Sequence, residues 1–118
     1  MSSVAELLDA AELIVAGGNL QVLLCESGVR TFETGTRNTL DPSAVPILKS
    51  RTHLPVVIDP SLAAGEPDVV SPLALAAKAV GSHGVVLEVH PDPSRALSDR
   101  VPPLDFRVFG NIMRNLFR

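Results

Sequence analysis

Three carboxylates stand at the ends of three apolar runs. Glu26 follows VLLC, Asp59 follows VVI, and Glu88 follows VVL. The segment after the third run adds His90, Asp92 and Asp99. Carboxylates gathered on one rim repel each other unless something positive lies between them. A divalent metal, an Arg or Lys, or a protonated partner would serve. Each acid taken singly has a plainer use, as the first solvated residue of a strand end or as the cap of the next helix. Three in register favour a shared site. The sequence breaks the pattern at Leu62, three residues beyond Asp59, where the side chain has no donor atom at all. His90 reads first as a hydrogen-bonded structural histidine. Cys25, one residue short of the rim and beside leucine, reads as core. His53 and His83 fall in loops with no visible partner.

The acids reach one rim only if the runs that carry them are parallel strands. The chain supplies the alternation this requires. Ser3 and Glu6 form a capping box, and Val4, Leu7, Leu8, Ala11, Ile14 and Val15 recur at helical spacing until Gly17 or Gly18. QVLLCE is a short continuous apolar run, typical of a strand covered on both faces. Asp41 and Pro42 start a second helix, which Pro46 keeps short or kinks. PVVID is the next strand. Ser71 and Pro72 start a third helix that Gly81 ends, and GVVLEV is the third strand. After the loop HPDPSRALSDR a last helix begins near Leu104. Phe109, Ile112, Met113 and Leu116 form its apolar face, and Arg107, Arg114 and Arg118 lie among its polar residues. The predicted order is α-β-α-β-α-β-α with three parallel strands, in one domain over residues 1–118. In such a sheet the C-terminal strand ends form the rim on which sites are built.

Composition narrows the chemistry. The chain has 118 residues, 46% of them apolar, with a net charge of −3 and a pI of about 5.5. That suits a globular domain and excludes the basic footprint of a nucleic-acid binder. Tyr and Trp are absent, which leaves little aromatic surface for stacking bases or sugars. One cysteine allows no intrachain disulfide. The apolar stretches are too short to span a membrane. The start, MSSVAELLDAAEL, carries acids and no basic segment, unlike a signal peptide. A cytoplasmic chain is the expectation.

The motifs RTFET, TRNTLD, SAVP, DPS, EVHPDP and ALSD occur in this order. The chain closely resembles, in this ordered set, the C-terminal half of 3-deoxy-D-arabino-heptulosonate-7-phosphate (DAHP) synthase. The nearest branch is the one similar to 3-deoxy-D-manno-octulosonate-8-phosphate synthase. The resemblance runs from about residue 2 to Asp99, and more loosely to the end. It implies a (β/α)8 TIM barrel, of which these three strands are a part. It also implies an aldol-type condensation of phosphoenolpyruvate with erythrose 4-phosphate, the first step toward aromatic amino acids. A divalent metal (Mn, Fe, Co or Zn) activates the aldehyde. By resemblance, Glu88 and Asp99 are metal ligands, Asp59 is a candidate catalytic acid, and Arg30 and Arg37 are substrate-binding residues for small phosphates.

Two family positions are altered. The metal-ligand histidine falls on Leu62, and the arginine that contacts the phosphoenolpyruvate phosphate falls on Ser27. A Gly-rich, basic run is also expected where AAGEP stands. Met1 falls where the family chain leaves its fifth strand. The family's metal-ligand cysteine, its catalytic lysine and further phosphate-binding cations precede that point. Two of four ligands remain, and three strands cannot close a barrel that needs roughly eight. The expectation is a weak or absent metal, no turnover by this chain alone, and self-association or docking on a complementary half-barrel. The alternatives are a non-catalytic or regulatory module that joins a full-length synthase, and a small metal- or phosphate-binding protein using Glu26, Asp59, Glu88 and Asp99.

Overall fold

Each apolar run becomes a strand, and each strand is shorter than its run. A computed structural model describes residues 1–97 and 102–118. Asp99, with the end of the ALSD motif, lies outside the described residues. Strand β1 spans Leu24–Glu26, β2 spans Val56–Ile58 and β3 spans Gly84–Val85. They form one parallel sheet in the order β1-β2-β3. Leu24 pairs with Val56, Glu26 with Ile58, and Ile58 with Val85.

Prolines set these lengths. The Leu24 N–H donates to the Pro55 carbonyl at 2.8 Å. Pro55 has no N–H to return, so the ladder begins there and residues 21–23 of the expected strand stay outside it. At the other end, the Asp59 N–H reaches the Glu26 carbonyl and the Val86 N–H reaches the Ile58 carbonyl, each at 2.8 Å. Pro60 then turns β2 into a helix. The third strand, expected to run to Val89, therefore loses its partner after Val85.

Side-chain caps open some of the helices but not the second, which starts at Ala44 behind Ser43 and not at Asp41 and Pro42. In α1, Val4–Ala16, the capping box forms: the Glu6 N–H donates to Ser3 Oγ at 3.3 Å, and the Ser3 N–H donates to the Glu6 carboxylate at 2.7 Å. In α2, Ala44–Arg51, Pro46 is the third residue. It falls among the first N–H groups, which have no intrahelical acceptor, so it removes no bond and requires no kink. An unforeseen helix, α3, spans Pro60–Ala64, with Asp59 as its cap and Gly65 in the left-handed conformation after it. The stretch DPSLAAG carries that signal: a capping acid, Pro at the first position, Gly past the end. Helix α4 spans Pro67–Ala79 and so starts earlier than Ser71. Pro67 opens it, and Pro72 sits inside. The bond lost at Pro72 is offset by packing of Val70, Ala74 and Ala77, all buried. A single 3-10 turn covers Pro93–Arg95, and α5 spans Phe106–Leu116 behind the cap Asp105.

Alternation along the strands sorts their two faces. Leu24, Val56 and Ile58 are buried against Ala11 of α1, Val45 and Leu48 of α2, and Ala77 of α4. Each such aliphatic side chain contributes roughly 1.5–3 kcal/mol of transfer free energy. Cys25 and Val57 point to the opposite face and are half-buried. A second cluster joins Ala64, Val70 and Ala74 to Leu104 and Ile112 of the α5 segment. Both edge strands keep exposed apolar neighbours, Leu23 beside β1 and Val86 and Val89 beyond β3. No helix among the described residues is long and apolar enough to cross a membrane.

Candidate functional site

The rim begins with Glu26. Its Oε1 accepts from the Gly28 N–H at 2.9 Å and the Asp41 N–H at 3.2 Å. The carboxylate thus ties together both ends of the loop between β1 and α2. That loop folds back on itself. Val29 and Thr39 exchange two backbone bonds at 2.8 Å, and the Thr31 and Thr39 hydroxyls meet at 3.0 Å. Its Asn38 N–H donates to the Ala63 carbonyl at 3.3 Å. Gly28 makes this docking possible: its φ is +87°, and a Cβ there would come within 2.9 Å of the Asn38 Cβ and 3.0 Å of the Ala63 Cβ. Arg30 and Arg37 stand on the two arms of the loop, both exposed, and Phe32 at its tip is 98% exposed. The Arg37 Cβ occupies the space beside Gly65.

Asp59 is committed in a similar way. Its Oδ1 accepts from the Leu62 N–H at 2.9 Å and caps α3. Leu62 is partly buried. Ser27, also partly buried, lies 3.4 Å from the Cys25 sulfur by its hydroxyl. Burial pushes the Cys25 thiol above its ordinary pKa. The Ser27 hydroxyl pulls the other way, and the charges of Asp59 and Glu26 add to the rise. Cys25 is therefore kept as a neutral thiol.

Glu88 differs from the other two acids. Its backbone is held and its side chain is exposed. The Glu88 N–H donates to Ser61 Oγ at 3.1 Å, and its carbonyl accepts from the Leu104 N–H at 2.9 Å. Ser61 is 3% exposed, the single buried polar side chain among the described residues. Sequence reading passed over it, although a serine directly after the strand-ending DP pair is the available signal. His90 Nδ1 accepts from the Asp92 N–H at 3.0 Å, as a structural histidine should. His83 has a partner after all: its Nδ1 accepts from the Val56 N–H at 3.0 Å.

The donor chemistry can be tested against a metal. Glu26 and Asp59 use carboxylate oxygens on backbone amides, Leu62 offers none, and Asp99 lies outside the described residues. Among the described residues, no three His, Cys, Asp or Glu side chains gather where they could share an ion. These residues do not fit a metal centre by themselves. A deeper concavity lies elsewhere. It is a cleft of about 530 Å³ between β3, α4 and α5, lined by Val85, Leu87, Phe109, Met113 and Leu116, with Lys78 at its rim. It opens beside the edge strand β3.

Comparison with known proteins places this geometry. A profile of the DAHP synthetase I family matches residues 1–116. A phospho-2-dehydro-3-deoxyheptonate aldolase of Thermotoga maritima is 50% identical over 116 residues, covering 98% of this chain and 34% of that protein. A 2-dehydro-3-deoxyphosphooctonate aldolase of Rhodopseudomonas palustris is 37% identical over 114 residues, covering 87% of this chain and 39% of that protein. The crystal structure of the Thermotoga maritima enzyme, a DAHP synthase, superposes with a TM-score of 0.95 over 99% of this chain and 35% of its own. A truncated form of that synthase gives 0.94, covering 45% of its chain. The chain thus spans between a third and two fifths of the length of the curated relatives it matches.

Proposed function

The chain belongs to the DAHP synthetase I family, and on that premise we propose that it is one segment of a (β/α)8 barrel that condenses phosphoenolpyruvate with erythrose 4-phosphate. The observation that carries this reading is the superposition of nearly the whole chain, with its three parallel strands, on about a third of a DAHP synthase. In it, β1 and β3 are the edges to which further parallel strands add. The cleft beside β3 is the seat of a neighbouring element, since uncovered apolar walls of that size favour association. By resemblance to the family, Glu88 and Asp99 serve as its site acids, and Arg30 and Arg37 bind the phosphates of the substrates.

These 118 residues do not catalyse the reaction on their own. Leu62 cannot donate to a metal, and Ser27 cannot form the bidentate contact an arginine makes with a phosphate, worth roughly 1.5–3 kcal/mol per charge-assisted bond. The same two side chains favour a second reading. A segment altered at its ligand and phosphate positions also suits a non-catalytic module that pairs with an intact synthase. Both readings place the chain in the cytoplasm, and both require a partner with complementary strand edges.

Two measurements test the proposal. Titration calorimetry of the purified chain with Mn²⁺ should give no site-specific binding. Co-expression with the complementary remainder of a synthase should give a co-purifying complex. Tight, stoichiometric Mn²⁺ binding by the chain, or failure of every complementary segment to associate, would count against it. Activity in the complex separates the first reading from the second.

A further inference from the structure

The ladder between β2 and β3 has a donor that the main chain cannot satisfy. The Val86 N–H bonds to the Ile58 carbonyl. A parallel ladder continued by two residues on each strand would send the Glu88 N–H to the carbonyl of residue 60. The chain has by then turned at Pro60 into α3, and that carbonyl belongs to the helix. Ser61 Oγ takes its place, accepting from the Glu88 N–H at 3.1 Å. On the far side, the Glu88 carbonyl accepts from the Leu104 N–H, and the His90 N–H returns a bond to the Leu104 carbonyl, both at 2.9 Å. Leu104 is buried at 2% exposure. Residues 88–90 therefore run between a buried hydroxyl and a buried backbone, although the Glu88 side chain is free to face outward.

We propose that Ser61 is a positioning residue: its buried hydroxyl replaces the missing β2 carbonyl and fixes the point on the rim from which the Glu88 carboxylate projects. The purpose of the device rests on the reading of Glu88 as a site acid. Its geometry does not. The hydroxyl also couples α3 to the far end of the rim, because the residue following Ser61 is Leu62, the altered ligand position. A change that shifts α3 moves the anchor of Glu88 with it.

The test is amide hydrogen exchange followed by NMR on the intact chain, in the wild type and in Ser61→Ala, Ser61→Thr and Glu88→Ala. Ser61→Ala should speed exchange at the Glu88 amide by roughly ten-fold or more, with the amides of Val56 and Ile58 much less affected. Ser61→Thr, which keeps the hydroxyl, should restore protection. Glu88→Ala should leave protection at position 88 unchanged, because its N–H still reaches Ser61. Unchanged exchange in Ser61→Ala, or a uniform loss across β2 and β3, would overturn the proposal. So would a failure of Ser61→Thr to restore protection in a chain whose urea midpoint matches the wild type. Should Glu88 have no part in the reaction, Glu88→Ala would leave turnover of the reconstituted barrel intact. That outcome removes the purpose and leaves the exchange result standing.

Discussion

Replacing Glu26 by Ala separates two accounts of the rim. If the strand-end acids were a repelling cluster, removing one would stabilise the fold. The structure gives the opposite sign. Glu26 Oε1 satisfies the N–H groups of Gly28 and Asp41, which lie at the two ends of one loop. A buried donor left without a partner costs about 1–3 kcal/mol. The site is half-buried, so water recovers part of each bond, and the two together should cost about 1–3 kcal/mol. With a urea m-value of about 1–3 kcal/mol/M, the midpoint should fall by roughly 1 M. The chain has no Trp or Tyr, so far-UV circular dichroism at fixed protein concentration is the suitable probe. Glu26→Gln keeps a carbonyl acceptor and should lose less than half as much. An unchanged or raised midpoint in Glu26→Ala, or equal losses in the two variants, would show that the Glu26 carboxylate does not hold this loop.

Other consequences follow from single contacts. Gly65 sits at φ +74° with the Arg37 Cβ 2.9 Å from the position of its own missing Cβ. Gly65→Ala combines left-handed strain with overpacking, about 2–4 kcal/mol, and should lower the melting temperature by roughly 10 °C. Ile112, 1% exposed on α5, should cost about 2–4 kcal/mol as Ile112→Ala in the same denaturation assay. The Cys25 thiol, raised above 9.0 by burial first, should react slowly with iodoacetamide at pH 8 and rapidly once urea unfolds the chain. Because the unfolded thiol loses its proton first, the unfolded state binds fewer protons above pH 9.0, and the Cys25 contribution to stability declines as pH rises from there. Glu6 has the reverse sign. Its carboxyl is held below 4.5 by the Ser3 N–H and then the Ser3 hydroxyl. The cap is intact above pH 4.5 and is lost as pH falls through the lowered value, so helicity of α1 should drop in acid and do so less in Glu6→Gln.

What could be read from the sequence was whatever rests on local pattern. The capping box of α1, the three parallel runs and the glycine that ends α4 needed only spacing and residue type. Gly81 takes a positive φ of +81° at that end. The strand ends were set by events that periodicity does not carry. Pro55 and Pro60 withhold donors at the two ends of β2, so the third run stops pairing four residues early although its side chains still look like a strand. The acids were identified as a set by position. Their roles diverge because capping geometry decides which carboxylate stays available. Asp59 caps α3 and Glu26 closes a loop, while Glu88 keeps its carboxylate exposed because a serine and a leucine backbone hold its main chain instead. His83 looked isolated because its partner, the N–H of Val56, is 27 residues away in the chain. Family motifs carried the rest of the assignment.

On the proposed reading, these 118 residues carry the family's scaffold without a working site. The decisive assay is phosphate release from phosphoenolpyruvate and erythrose 4-phosphate, measured with the purified chain and saturating Mn²⁺. The chain alone should give no release above the no-protein control. Sustained turnover proportional to chain concentration, lost in Glu88→Ala, would overturn that reading.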